Sequence, residues 1–180
     1  KFCGLTESLA DVWRKRVADG WVVDGKRVYA HILAFVDDYL IIGDCEEATR
    51  LGAAAFEALL DEVGVVWAPH KQRGPCQCIE FLGMLLCNVK GHRCIALPEE
   101  KQLKLTALLD SWAAREPGVN GQATAGPVEL ASLLGKLVFA SQVVPGGRTY
   151  MQGMMAQFSG VEVDWVHGRV KYAQSGWGDV

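Results

Sequence analysis

The spacing of apolar positions changes several times along the chain, and each change marks an element. Leu9, Val12, Trp13 and Val17 recur at helical spacing within 6–18, with Thr6 placed as an N-cap, Glu7 near the positive end of the helix and Gly20 ending it. The stretch before it, Phe2-Cys-Gly4-Leu, reads as a loop whose glycine permits a close backbone approach. Asp24-Gly25 is a turn signal leading into two runs of β-favouring residues, 29–36 and 39–42. Only Asp37-Asp38 interrupts those runs, which predicts strand, two-residue turn, strand, with both acids at the tip. An amphipathic helix over 46–62 follows, carrying Ala48, Leu51, Ala55, Ala58, Leu59 and Val63 on one stripe, opened by Glu46 and Glu47 and closed by Gly64.

Beyond it, 65–67 predicts a short strand, and 68–75 a polar, turn-rich segment holding Lys71. Residues 77–86 read as a strand, 88–91 as a turn and 93–97 as its partner. Pro98 and the acids Glu99 and Glu100 open a helix continued by Leu103, Leu105, Leu108, Leu109 and Trp112. A linker over 115–126 leads to a helix over 127–144 with Leu130, Leu133, Leu134, Leu137 and Val138 on its buried side. Gly146-Gly147 breaks it before a third helix over 148–158. Residues 159–180 show no clear period. The expectation is an α+β chain: an antiparallel sheet with helices on one face over 1–97, a helical part over 98–158, and an unassigned tail over 159–180.

Composition narrows the function classes modestly. Half of the 180 residues are apolar and the net charge is −3, so the composition is globular and neither half is a basic nucleic-acid arm, although a local groove remains compatible. No run approaches the ~18 apolar residues of a membrane span, and no cleavable signal opens the chain. Lacking an initiator Met, the chain looks like an excised piece of a longer protein. Six scattered cysteines read as reduced, intracellular thiols and as buried small hydrophobes. The set Cys76, Cys78, His92 and Cys94 departs from the usual spacing of zinc ligands and falls on predicted strands, which counts against a zinc site.

Candidate chemistry centres on Asp37 and Asp38. Adjacent carboxylates at a tight turn suit Mg²⁺ or Mn²⁺, because hard divalent ions take oxygen ligands and bind through one or two carboxylates plus substrate phosphates. Asp is also an ordinary turn former, since its carboxylate accepts hydrogen bonds from nearby backbone N–H groups, so turn chemistry is the commoner account of such a pair taken alone.

Phe35-Val-Asp37-Asp38 resembles the YxDD box of reverse transcriptases, with Phe35 at the Tyr position. Further boxes stand in the same order. Phe2, Gly4 and Leu5 are similar to the Phe-Gly loop of the tyrosine-recombinase, or DIRS-like, retrotransposon enzymes, Lys71 falls where that family has a lysine after a helix, a glycine and a short strand, and Phe81-Leu82-Gly83 resembles the primer-grip box. Gly135-Lys136-Leu137 and Gly147-Arg148 look like steps of that family's thumb.

The resemblance implies a palm sheet followed by a helical thumb, and RNA-directed DNA polymerisation with RNA or DNA template, primer and deoxynucleoside triphosphates as partners. It implies Asp37 and Asp38 as metal-binding catalytic acids with Mg²⁺ or Mn²⁺, and Lys71 as a cation near the leaving pyrophosphate. Phe2, Gly4 and Phe35 would lie against nucleotide and template, Phe81, Leu82 and Gly83 would grip the primer, and Lys136 and Arg148 would meet phosphates. The family's first catalytic Asp precedes the Phe-Gly loop, so this piece alone is expected to be catalytically incomplete. Phe35 lacks the hydroxyl frequent at its position. The alternatives are a degenerate palm-like module that binds nucleic acid or protein without catalysis, and another palm-type nucleotidyl transferase such as a nucleotide cyclase.

Overall fold

The computed structural model describes residues 2–116, 125–172 and 177–178. The chain divides into two units, Lys1–Cys94 and Ile95–Val180. Both mix helices with small antiparallel sheets.

In the first unit, helix α1 spans Phe2–Arg16, and its Leu9, Ala10 and Trp13 are buried. The expected loop at Phe2-Cys-Gly4-Leu is therefore the first turns of that helix. Thr6 lies inside it rather than capping it, and a Cβ at Gly4 would meet nothing within 4 Å, so no backbone approaches there. The hairpin β1 (Trp21–Val23) and β2 (Lys26–Val28) turns at Asp24-Gly25, both with positive φ, as the twist of a two-residue hairpin favours.

Strands β3 (Ala30–Phe35) and β4 (Asp38–Gly43) pair antiparallel from Ala30↔Gly43 to Phe35↔Asp38. Alternation puts Ala30, Ile32 and Ala34 with Ile41 and Tyr39 on the face covered by α1 and α2. At the open end of the hairpin, Asp44 N–H donates to Tyr29 O and the Asp44 carboxylate accepts from Tyr29 N–H, both at 2.9 Å.

Helix α2 occupies Glu46–Glu62, the bounds that the periodicity predicts. Its buried face, Ala48, Gly52, Phe56, Leu59 and Leu60, is rotated from the expected stripe: Ala58 and Val63 are exposed. Gly52 explains the rotation. A Cβ there would stand 3.0 Å from Ala30 Cβ, 3.1 Å from Ile41 Cγ2 and 3.3 Å from Trp13 Cζ2, so only a bare backbone lets helix and hairpin approach this closely. Trp13, fully buried, fills the space between them, and its indole N–H donates to Gly52 O at 3.0 Å. An ion pair of 2.6 Å between Arg16 and Glu62 joins the C-terminal ends of the two helices, and the hydrogen bond from Arg16 holds the Glu62 carboxyl below its usual range.

Two expectations fail in the rest of this unit. Val65 and Trp67 pack on the core without forming a strand, and the chain continues into a single 3₁₀ turn at Pro69–Lys71. The expected single hairpin over 77–97 is a three-stranded meander of β5 (Cys78–Phe81), β6 (Met84–Val89) and β7 (His92–Ala96). It turns twice, at Leu82-Gly83 and Lys90-Gly91, and all four turn residues have positive φ. Apolar residues on both sides of Leu82-Gly83 hid the first turn.

In the second unit, α3 (Glu99–Ala113) starts after Pro98, and α4 covers Pro127–Ala140, ending short of the expected Val144. The linker expected over 115–126 lies largely outside the described residues. Leu133, Leu134, Ala140 and Met151 are buried, and the expected third helix is two short ones, α5 (Gly147–Tyr150) and α6 (Gln152–Ala156), with Met151 between them. The unassigned tail holds β8 (Val161–Asp164), β9 (Arg169–Tyr172) and β10 (Trp177–Gly178), in the order β10-β9-β8. No helix among the described residues is long and apolar enough to cross a membrane.

Trp13→Ala is expected to cost about 3–5 kcal/mol through the cavity left beneath Gly52, read as a lowered urea midpoint with an unchanged slope.

Candidate functional site

The tip of the β3–β4 hairpin is displaced by one residue from its expected place. Phe35 pairs with Asp38, so the turn is Val36-Asp37, and Asp38 opens β4 instead of lying in the turn. The cause is at Val36. Its φ of 52° is a region that a β-branched side chain adopts only under strain, worth about 1–3 kcal/mol. Two contacts hold the tip and the strand leading to it. The buried Thr6 hydroxyl donates to Val36 O, and Arg14 donates to Ile32 O at 3.3 Å, so α1 clamps the free edge of β3.

Asp37 and Asp38 are both exposed. Acids that serve a turn look different in this chain: Asp44 accepts from Tyr29 N–H, and Asp164 accepts from Val166 N–H at 3.0 Å and His167 N–H at 3.1 Å. Among the described residues no such backbone bond reaches Asp37 or Asp38, and neither forms an ion pair. The turn therefore leaves four carboxylate oxygens to solvent.

Tyr39, read in the sequence as a strand residue only, belongs to this site. Its ring lies 4.6 Å from that of Phe56, and burial pushes its phenol above the ordinary value. The Thr6 hydroxyl opposes that shift by hydrogen bonding, and the charge of Asp37 adds to it. Thr6 and Tyr39 thus link the helix to the acidic tip, a role no local pattern announces. On the opposite face of the hairpin Leu40 is buried, whereas its neighbours are exposed. Leu33, 51 % exposed, and Phe35, 57 % exposed, lie in its rows with Asp38 beside Phe35.

The other expected site residues lie on separate elements. The side chain of Phe2 lies outside the described part of the structure, and Gly4 is exposed on α1. Lys71 is exposed at the end of its 3₁₀ turn, which Gln72 ties to α2 through a 2.6 Å bond to Glu57. Among the described residues no hydrogen bond or ion pair joins Lys71 to either Asp. Phe81 ends β5 and Leu82-Gly83 forms the next turn, with Leu82 at φ 50°, a second aliphatic residue in a glycine-like conformation. In the second unit, Lys136 is exposed on α4 beside an open cavity of about 410 Å³ that Trp112, Pro127 and Leu133 also line, and Arg148 is exposed on α5.

As donors, the Asp pair fits a hydrated Mg²⁺ or Mn²⁺ held by one or two carboxylates and completed by water and phosphate. No group of three or more His, Cys, Asp or Glu side chains among the described residues is arranged to hold a metal ion, so a two-metal site would take a further carboxylate. Comparison of the chain with protein-family models, with curated proteins and with solved structures yields no match.

Replacing Val36 by Gly should leave stability unchanged or raise it by up to about 1 kcal/mol in urea unfolding, despite the apolar side chain lost, because strain in the turn is relieved. Tyr39 gives a pH test. Its raised value means that the protonated phenol contributes stability fully below pH 10.0, lost as pH rises through the folded-state value. The stability gap between the native chain and Tyr39→Phe should stay flat up to pH 10.0 and then shift against the native chain at higher pH.

Proposed function

We propose that the chain is the palm and thumb portion of a reverse-transcriptase-like nucleotidyl transferase from a retroelement, most similar to the DIRS group. One observation supports this reading above the others. Two adjacent carboxylates on a strained hairpin tip have no hydrogen-bond or ion-pair partner among the described residues, where ordinary turn chemistry would have tied them to the backbone.

In this reading Asp37 and Asp38 bind Mg²⁺ or Mn²⁺, which when bound neutralises charge as a primer 3′ hydroxyl displaces pyrophosphate at the α-phosphate. The chain's own residues position the substrates. Phe35 and Leu33 offer an apolar seat for the sugars and bases of a primer–template beside Asp38, and Lys71 supplies a cation for the triphosphate. The Phe81-Leu82-Gly83 tip holds the primer end, and Lys136 and Arg148 meet backbone phosphates. A further carboxylate from the parent protein completes the two-metal set. The second reading, a palm-like module binding nucleic acid or protein without catalysis, draws support from the lack of a third metal-binding side chain among the described residues.

Primer extension on an RNA template with Mg²⁺ separates the two, using the chain within its parent sequence. Extension that falls on the order of 10²–10³-fold or more in Asp37→Ala, with the fold retained, is expected. Template binding that survives Asp37→Ala with no extension in either form would favour the binding module.

A further inference from the structure

The β5–β6–β7 meander sets three cysteines side by side. Cys78 of β5 is the register partner of Cys87 on β6. Beyond the Lys90-Gly91 turn, counting back from Val89 and His92 places Cys94 of β7 opposite Cys87 on the other side. One row across the sheet thus reads Cys78, Cys87, Cys94, with the central thiol within hydrogen-bonding reach of both neighbours.

The pairing class of this row decides its chemistry. Asn88 N–H donates to Gln77 O at 2.7 Å, so Gln77 and Asn88 form a hydrogen-bonded pair, and the next pair along, Cys78↔Cys87, is a non-hydrogen-bonded one. Such pairs bring Cα atoms to about 4.5 Å, within the range of about 4.4–6.8 Å that a disulfide spans. Cys78 and Cys94 are two strands apart, about twice the ~4.8 Å strand spacing, which is too far for a direct bridge and too wide for three sulfurs to share one metal ion. The outer two thiols are exposed and the central one is half-buried. These exposures overturn the expectation of buried cysteines, and the geometry suits oxidation rather than packing.

We propose that Cys78, Cys87 and Cys94 form a peroxide-responsive thiol–disulfide site in which Cys87 is the shared partner and bridges to Cys78 or to Cys94. The exposed Cys78 thiolate attacks hydrogen peroxide, which with a proton yields Cys78 sulfenic acid and water. The Cys87 thiol then displaces that hydroxyl: the Sγ–Sγ bond forms, the S–O bond breaks, and its proton leaves in a second water. Two thiols lose two electrons in all, and peroxide takes them up. The Cys94 thiolate can then attack Cys87 Sγ and release Cys78 as thiolate. Hydrogen bonding to Cys78 pushes the Cys87 thiol up to about 12, with burial and the neighbouring thiols adding, so the first attack on peroxide falls to the exposed Cys78, and Cys87 gives up its proton only as it attacks the adjacent sulfenic sulfur. The Cys78–Cys87 bridge closes a covalent ring around Phe81, Leu82 and Gly83, pinning the strained tip between them. The site stands independently of the nucleotidyl-transfer reading.

The test uses the reduced full chain, exposed to hydrogen peroxide, blocked with N-ethylmaleimide and cleaved with trypsin. Peptide 74–90 carries Cys76, Cys78 and Cys87, and peptide 94–101 carries Cys94. Expected products are a 74–90 peptide two hydrogens lighter with Cys76 alkylated, and a minor species joining 74–90 to 94–101. Cys78→Ser should shift the product to the joined species, and Cys87→Ser should lose both while far-UV circular dichroism stays native. An unchanged bridge in Cys87→Ser, alkylation of Cys87 as complete as that of Cys45, or disulfides only between chains would overturn the proposal.

Discussion

Burial of Trp13 over the bare backbone of Gly52 sets the distance at which α1, α2 and the β3–β4 hairpin meet. An isolated two-stranded hairpin is marginal in water, because one pair of strands buries too little apolar surface to offset the order it imposes. Here the inner face gains two helices, and Ile32, Phe56 and Leu59 close around the indole. The close approach demands glycine at 52 and a small residue at 30. On the outer face Leu40 is buried, while Leu33 and Phe35, the latter beside Asp38, stay exposed. The face that holds the fold together and the face that carries the exposed Asp38 are two sides of one pair of strands.

The same clamp explains how the tip persists. Four hairpins in the first unit turn through residues with positive φ, but the non-glycine residues differ in kind. Asp24 and Lys90 precede glycine in ordinary surface turns. Val36 and Leu82 are aliphatic, and they sit in the two segments that carry the acid pair and the Phe-Leu-Gly box. A strained conformation survives only where its surroundings over-determine it. For Val36 that surrounding is the Thr6 hydroxyl on its carbonyl and α1 along the edge of β3. Helix α1 is therefore both a wall of the core and the support of the acidic turn, and a change at its buried face reaches the tip through Thr6.

The sequence made the strong periodic elements legible and the exceptions invisible. Helix α2 declared itself because seventeen residues repeat one spacing between an acidic start and a glycine stop. Its buried face was misplaced because Gly52 counts as no hydrophobe, although its lack of a side chain is what buries it. The hairpin pair β3–β4 followed from β-favouring runs, yet the turn slipped by one residue, since no propensity assigns a valine to positive φ. Helix α1 absorbed the expected Phe-Gly loop because nothing in those residues stops the helix that starts at Phe2. Leu82-Gly83 hid a turn inside an apolar run, and the tail strands lacked enough alternation to be seen. The acids were legible as candidates. Thr6 and Tyr39 were not, because their roles depend on which element folds against which.

The two meanings of an acidic turn can be separated on physical grounds within this one chain. A carboxylate recruited for turn stability earns its place by accepting backbone N–H groups, as Asp44 and Asp164 do. At the Val36-Asp37 turn neither acid accepts such a bond among the described residues, and the turn is built on a strained valine where glycine or asparagine would relax it. Two negative charges placed side by side repel, and exposure to water only weakens that cost. Strain, repulsion and missing backbone bonds all run against stability at the same few residues. Those unfavourable terms are concentrated at one tip and held there by a buried hydroxyl from another element. In the proposed reading a hydrated divalent cation would offset them, taking two carboxylates with no change of fold.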